Sequence, residues 1–223
     1  MRDSQFLNYY QYAAPLLLTP LSYWLWLQSL GEAWLVVQVI SIPILVSYIV
    51  PAIGTNRLYL WEFHTRFMLG RFRWHHGFVF GSATNILTYL SLEHRLEPFS
   101  LVSVLRTGLV LGAVLGLLNW IYDIAAIRAG FIKVFIKVAH DGCEPEAVAA
   151  QYAPMYFGTF GVFYGVYVRL AEYSLTTDLL AAYRGLLWLL GFALVLVMPC
   201  ALYVLQARLT TGSNGLTRYE RVG

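Results

Sequence analysis

The chain has 223 residues, of which 59% are hydrophobic, 16% aromatic and only 12% charged, with a formal net charge of +3. A soluble domain carries about 25% charged residues. So little charge excludes a soluble globular domain, a disordered chain and a nucleic-acid-binding module, and the mean hydropathy of +0.61 points to an integral membrane protein.

Crossing a hydrocarbon core of roughly 30 Å takes about 20 apolar residues in a helix. In chain order the candidate spans are 13–30, 34–53 (holding Pro43 and Pro51), 77–92, 101–126, 154–173 and 183–207 (holding Pro199). The first is followed by others of similar length, so it reads as a span and not as a cleaved leader. The expectation is an all-α integral membrane protein with about six transmembrane helices. Residues 1–209 form one polytopic membrane domain, and 210–223 a short polar tail that Gly212 and Gly215 are expected to leave mobile.

Six spans put both termini on one side. That side carries Arg2, Arg57, Arg66, Arg71, Arg73, Arg128, Lys133, Lys137, Arg208, Arg218 and Arg221, which is 11 of the 15 Lys and Arg residues. The positive-inside rule makes it cytoplasmic, and with it both termini. Two connections on that side look amphipathic. Segment 63–74 alternates aromatic residues with Arg66, Arg71 and Arg73, and in 131–140 a helical wheel separates Phe131, Phe135 and Val138 from Lys133, Lys137 and His140. Both read as interfacial amphipathic segments in the headgroup plane. Their charges suit anionic lipid headgroups.

Small residues recur at helical spacing in two spans. Gly108, Gly112 and Gly116 form one stripe, and Gly158, Gly161 and Gly165 another. Such stripes let helices approach closely, within the chain or against membrane-protein partners. The first stripe continues into Asn119 and Asp123, a polar pair near the cytoplasmic end. Ionisable residues inside spans are often functional, so Asp123 is a candidate acid or base with Asn119 orienting it. A second candidate cluster holds Glu62 and His64. Glu62 and Arg66 are four apart and would pair on a helix. A partly dry setting would suit Glu62 or His64 to proton transfer. Arg66, Arg71, Arg73, Arg128 and Lys133 are the candidate headgroup-binding residues. Arg169 and Glu172 are expected to pair at the outer end, while His64, His75, His76 and Asp141 are the only grouping that could gather a divalent metal, and no cofactor is predicted.

The stretch Asn-Trp-Ile-Tyr-Asp over 119–123, followed by Arg128, resembles the first aspartate-rich motif of UbiA-type membrane prenyltransferases. The resemblance implies that Asn119 and Asp123 hold Mg²⁺ and a diphosphate. It covers about ten residues and departs from the pattern, with Trp120 and Ile127 where acids stand, no second motif and too few spans. One Asp is a poor site for Mg²⁺ and diphosphate. Trp61 and Glu62 are loosely similar to the membrane-bound terpene cyclases, which implies a carboxylic acid protonating an alkene or epoxide. Neither resemblance assigns a family.

The leading functional expectation is a small membrane enzyme acting on a lipid or isoprenoid near the cytoplasmic interface. Its acid/base chemistry would serve cyclisation, isomerisation or group transfer. Membrane lipids and a hydrophobic small molecule are its expected partners. A non-catalytic membrane subunit or assembly factor is the alternative, and a small-solute transporter the third, although Asn85 and Thr88 are few residues to line a polar path.

Overall fold

The computed structural model describes residues 2–92 and 98–219, and is mostly helical, at 75%. Three helices are long and apolar enough to cross a membrane: Ala33–Asn56, Leu101–Arg128 and Arg184–Thr211.

The first helical stretch is α1 (Arg2–Ala13), which passes through a π turn (Ala14–Leu18) into α2 (Thr19–Leu30). Pro15 lies within that turn and Pro20 directly after it, in the first turn of α2. A prolyl ring cannot donate and clashes with the carbonyl four residues back, and a widened turn makes room for it. Gly31, at φ +67, then caps α2. Helix α3 (Ala33–Asn56) carries Pro43 and Pro51 internally. Pro43 frees the Val39 carbonyl, which accepts the Tyr164 hydroxyl at 3.1 Å. A neighbouring helix thus satisfies the acceptor that proline orphaned, as a water-free interior demands.

The chain then forms small β pairs. Strand β1 (Trp61–Phe63) pairs antiparallel with β4 (Ile132–Val134), placing Glu62 opposite Lys133. Strands β2 (Met68–Leu69) and β3 (Phe72–Arg73) make a hairpin whose turn holds Gly70 at φ +68. Asn56, at the end of α3, anchors this turn by accepting Arg71 N–H at 2.7 Å and donating to the Leu69 carbonyl at 3.3 Å.

Helix α4 (His76–Ser91) precedes residues 93–97, a segment of Glu93, His94, Arg95 and Glu97 whose sequence reads as a solvated outer loop and which lies outside the described residues. After α5 (Leu101–Arg128) come β4, the short helices α6 (Lys137–His140) and α7 (Pro145–Ala150), then α8 (Ala153–Tyr173), α9 (Asp178–Ala182) and α10 (Arg184–Thr211). Each of the six apolar runs is helical over most of its length.

Helices α5 and α8 pack through their glycines. A Cβ on Gly112 would sit 2.8 Å from the Gly158 carbonyl, and one on Gly161 would sit 2.6 Å from the Leu111 carbonyl. The two stripes face each other, so they are not a free surface for another protein. The main core surrounds α8 and includes Trp26, Val39, Leu111, Leu115, Tyr164, Val168 and Val195. A second core caps one end of the bundle with Leu7, Phe63, Phe72, Ala126, Phe131 and Ile132.

Three sequence expectations need correction here. Segment 131–140 is not a single amphipathic helix. Gly130, at φ +67, ends the preceding helix, and the β-branched Ile132 and Val134 pair with β1, leaving helix only at Lys137–His140. Segment 63–74 is likewise a hairpin, so Glu62 and Arg66 do not share a helix face, and Glu62 pairs with Arg71 instead, at 3.1 Å. The tail is held as far as it is described. Helix α10 runs to Thr211, Tyr219 N–H donates to the Phe135 carbonyl at 2.8 Å, the Tyr203 hydroxyl donates to the Gly215 carbonyl at 2.9 Å, and Arg218 lies over the Phe135 ring at 4.3 Å.

Candidate functional site

The capping core at the end of the bundle encloses polar groups from five parts of the chain. Helix α5 brings Tyr122 and Asp123, one turn before its end. Strand β3 brings Arg73, the turn after it His75, helix α1 Tyr10 and Gln11, and the entry to α8 Tyr152. The β hairpin is what turns Arg73 inward. Along a strand successive side chains point to opposite faces, yet both Phe72 and Arg73 are buried, because the capping core covers both faces of this short strand.

Arg73 is only 2% exposed. Its guanidinium lies over the rings of Phe63 at 5.0 Å and Phe131 at 5.4 Å, and its Nε donates to His76 Nδ1 at 3.0 Å. The Tyr122 hydroxyl faces the same guanidinium. Asp123, 6% exposed, faces the Tyr152 hydroxyl and feels the Arg73 charge. No direct ion pair joins Arg73 and Asp123. Burial, helped by the nearby Asp123 charge, holds the Tyr152 phenol well above its ordinary range. Burial and Tyr122 push Tyr10 up to about 12. Both phenols therefore keep their protons and act as donors. His75 is pushed down, first by burial and then by Arg73, so its neutral form is favoured.

Of the sequence candidates, this cluster contains Asp123 and Arg73. Asn119 does not orient Asp123, because its amide donates to the Leu115 carbonyl of its own helix at 2.9 Å. Glu62 and His64 do not join Asp123. Phe63 turns in to meet Arg73, so its strand neighbours turn the other way. There Glu62 is paired with Arg71 at 3.1 Å and with His64 Nε2 at 3.6 Å. His64 and Lys133 instead line a surface cavity of about 290 Å³ with Ile127, Gly130 and Cys143. Arg128 is paired with Glu146, Arg71 also lies over Tyr59 at 4.6 Å, and Arg66 lies over Phe67 at 5.4 Å. The five candidate headgroup cations are thus dispersed, with only Arg73 buried. No group of three or more His, Cys, Asp or Glu that could hold a metal forms among the described residues. His140 is beside Asp141 at 3.3 Å, while His76 is bonded to Arg73.

Several polar residues elsewhere in the bundle bond one another or nearby backbone. Asn85 accepts the Tyr164 hydroxyl at 2.7 Å and donates to the Ile40 carbonyl at 3.2 Å, and Thr88 donates to the Thr84 carbonyl at 2.7 Å. Arg169 and Glu172 pair at 2.8 Å. Comparison with protein-family models, with curated proteins and with solved structures finds no match.

Proposed function

We propose that the chain is a six-span membrane enzyme with cytoplasmic termini that acts on a lipid or isoprenoid at the cytoplasmic end of its helices. Asp123 serves as the acid or base, and the Tyr152 hydroxyl positions its carboxylate. Arg73, with the Tyr122 hydroxyl, holds the polar part of the substrate. The single observation that carries this reading is the enclosure of Arg73 and Asp123 in one water-poor cluster without direct pairing. A buried cation and carboxylate that served stability alone would gain most by touching. A reacting group bound between them would meet an electrostatic anchor on one side and a proton-transfer group on the other, which is the arrangement general acid/base catalysis requires. The surrounding Phe63, Phe131 and Leu7 suit an apolar substrate.

The test compares the lipid and isoprenoid content of membranes carrying the wild type or Asp123→Asn, by untargeted mass spectrometry. The expected result is a species whose level changes with the wild type and not with the variant, both proteins being inserted equally. Indistinguishable profiles for wild type and variant overturn the enzyme reading.

One observation favours the second reading, a non-catalytic membrane subunit. The apolar window of α10 is only 17% buried, so it offers a long face to lipid or to another helix. Recovery of a defined multi-subunit complex in mild detergent, lost when Leu190 and Leu194 on that exposed face are replaced by polar residues, would support it. A lone monomer with bound lipid would oppose it.

A further inference from the structure

Among the described residues, five buried side-chain nitrogen or oxygen atoms without a geometrically sound hydrogen bond gather in the Arg73 cluster: Gln11 Oε1, Arg73 Nη1, both nitrogens of His75 and the Tyr122 hydroxyl. Most buried polar groups in native proteins are paired, so orphans gathered at one place call for an occupant. Arg73 Nη1 can only donate, the Tyr122 hydroxyl accepts from the guanidinium it faces and keeps its O–H for an occupant, and neutral His75 adds one N–H. Gln11 Oε1 and the other His75 nitrogen are acceptors, so three donors are left for the occupant. A set of donors around a buried cation selects an acceptor that carries negative charge.

The charge count narrows it further. The cluster contains one guanidinium and one carboxylate, and the other cations nearby are engaged elsewhere, Arg71 with Glu62 and Arg128 with Glu146. With Asp123 in its acid form, one arginine balances a monoanion. It cannot balance a diphosphate beside Asp123. Nor can its Nε edge take part in a side-on clamp, because that nitrogen is bonded to His76. A single carboxylate, met end-on by Nη1 and flanked by Tyr122 and His75, fits the donors that remain. The walls are apolar. Phe63 and Phe131 stack on the guanidinium, and on the amino-terminal side the cover is one helix thick, where Leu7, Tyr10, Gln11 and Ala14 form the inward stripe of α1 and the π turn. The outward face of the same helix exposes Phe6 and Tyr9.

The geometry points to a binding site for the carboxylate of an amphiphile, a monoanionic head on an apolar tail, seated between Arg73, Tyr122 and His75. This names the substrate class for the enzyme reading and rests on it. Binding can nevertheless be measured without turnover, so the two can fail separately.

The experiment measures binding of radiolabelled palmitate to the purified full chain in detergent. Hexadecanol, acetate and farnesyl diphosphate serve as competitors. Saturable palmitate binding is expected, with hexadecanol and farnesyl diphosphate competing weakly and acetate only at concentrations far above palmitate's own. Arg73→Gln should weaken binding by on the order of tenfold or more, and Tyr122→Phe, which keeps the ring, by a smaller factor. Should Arg73→Gln fail to fold, as judged by gel filtration, Tyr122→Phe carries the test alone. Asp123→Asn should still bind palmitate, which separates loss of the head-binding site from loss of chemistry. Equal competition by hexadecanol would show that the head is not read. Tighter competition by farnesyl diphosphate would show the wrong head, and acetate competing at palmitate's own concentration would show a small-anion site. Palmitate binding unchanged in Tyr122→Phe and in folded Arg73→Gln would place it elsewhere. Each of these outcomes overturns the proposal.

Discussion

Two ion pairs show how position sets the worth of a charge. Arg169 and Glu172 are 6% and 4% exposed at their side chains, and Arg169 Nε also donates to Ser103 at 3.0 Å. Arg71 and Glu62 are 38% and 23% exposed. Removing one partner of a buried pair strands the other charge, at about 3–5 kcal/mol, whereas an exposed pair is worth about 0–1 kcal/mol. Glu172→Gln should therefore sharply lower the thermal midpoint in detergent, and Glu62→Gln should hardly move it. Equal shifts would contradict the burial on which the contrast rests. His75 makes a further prediction with a defined sign. Its folded pKa lies below the unfolded value near 6.5, so the unfolded chain binds more protons below that pH. The stability linked to neutral His75 is complete above about pH 6.5 and is lost as pH falls toward the folded pKa. His75→Phe should flatten that acid limb in a melt series from pH 7 to pH 5, and an unchanged limb would assign the titration to another group. At this scale Asp123 was legible, because an acid within a span is rare enough to stand out. Arg73 was legible only as one of several arginines, since nothing local tells which of Arg66, Arg71 and Arg73 a hairpin will turn inward. Tyr122 and Tyr152 carried no signal among 16 tyrosines.

Among elements, the α5–α8 contact depends on missing side chains. A Cβ at Gly161 would come within 2.6 Å of the Leu111 carbonyl, and backbone cannot step aside as a flexible side chain can. Gly161→Ala should force the helices apart and destabilise the protein by about 1–3 kcal/mol. Gly185, at the start of α10, has nothing within 4 Å of the same position. Gly185→Ala should be neutral or gain up to about 0.5–1 kcal/mol from helix propensity. If both variants melt alike, close packing is not what fixes this pair of helices. The glycine stripes were readable because spacings of three and four survive in the sequence whatever the helix packs against. Strand β4 was not readable. Phe131 and Phe135 are four apart, which satisfies a helical wheel, and only Gly130 and the pairing of 132–134 with residues 61–63, some 70 positions earlier, decide for strand. Local periodicity cannot report a partner so distant in the chain.

For the whole molecule, the set of helices that cross the bilayer fixes where the candidate site lies. Three qualify by length and apolarity alone, whereas the six-span reading also needs the 13–30 stretch, α4 and α8, the last of which has 21 residues that include the buried pair Arg169 and Glu172. Two exposed positions flank that helix, Cys143 before α7 and Asp178 in α9. If α8 crosses, these two positions lie on opposite sides of the membrane, and the positive-inside rule puts Cys143 in the cytoplasm. A Cys200→Ser variant leaves Cys143 as the one thiol, and adding Cys143→Ser with Asp178→Cys moves it. With a membrane-impermeant maleimide, the first protein should label in inside-out vesicles and not in intact cells, and the second the reverse. The opposite pattern for both would invert the orientation and move the Arg73 cluster to the outer face. Labelling of both from the same side would mean that α8 does not cross. The polar cluster would then no longer sit at the end of a six-helix bundle, because Tyr152 enters it from the first turn of α8 and Asp123 from the helix whose glycines pack against α8. The position of the candidate site in the membrane and the crossing of α8 are therefore one claim, tested by one pair of thiols.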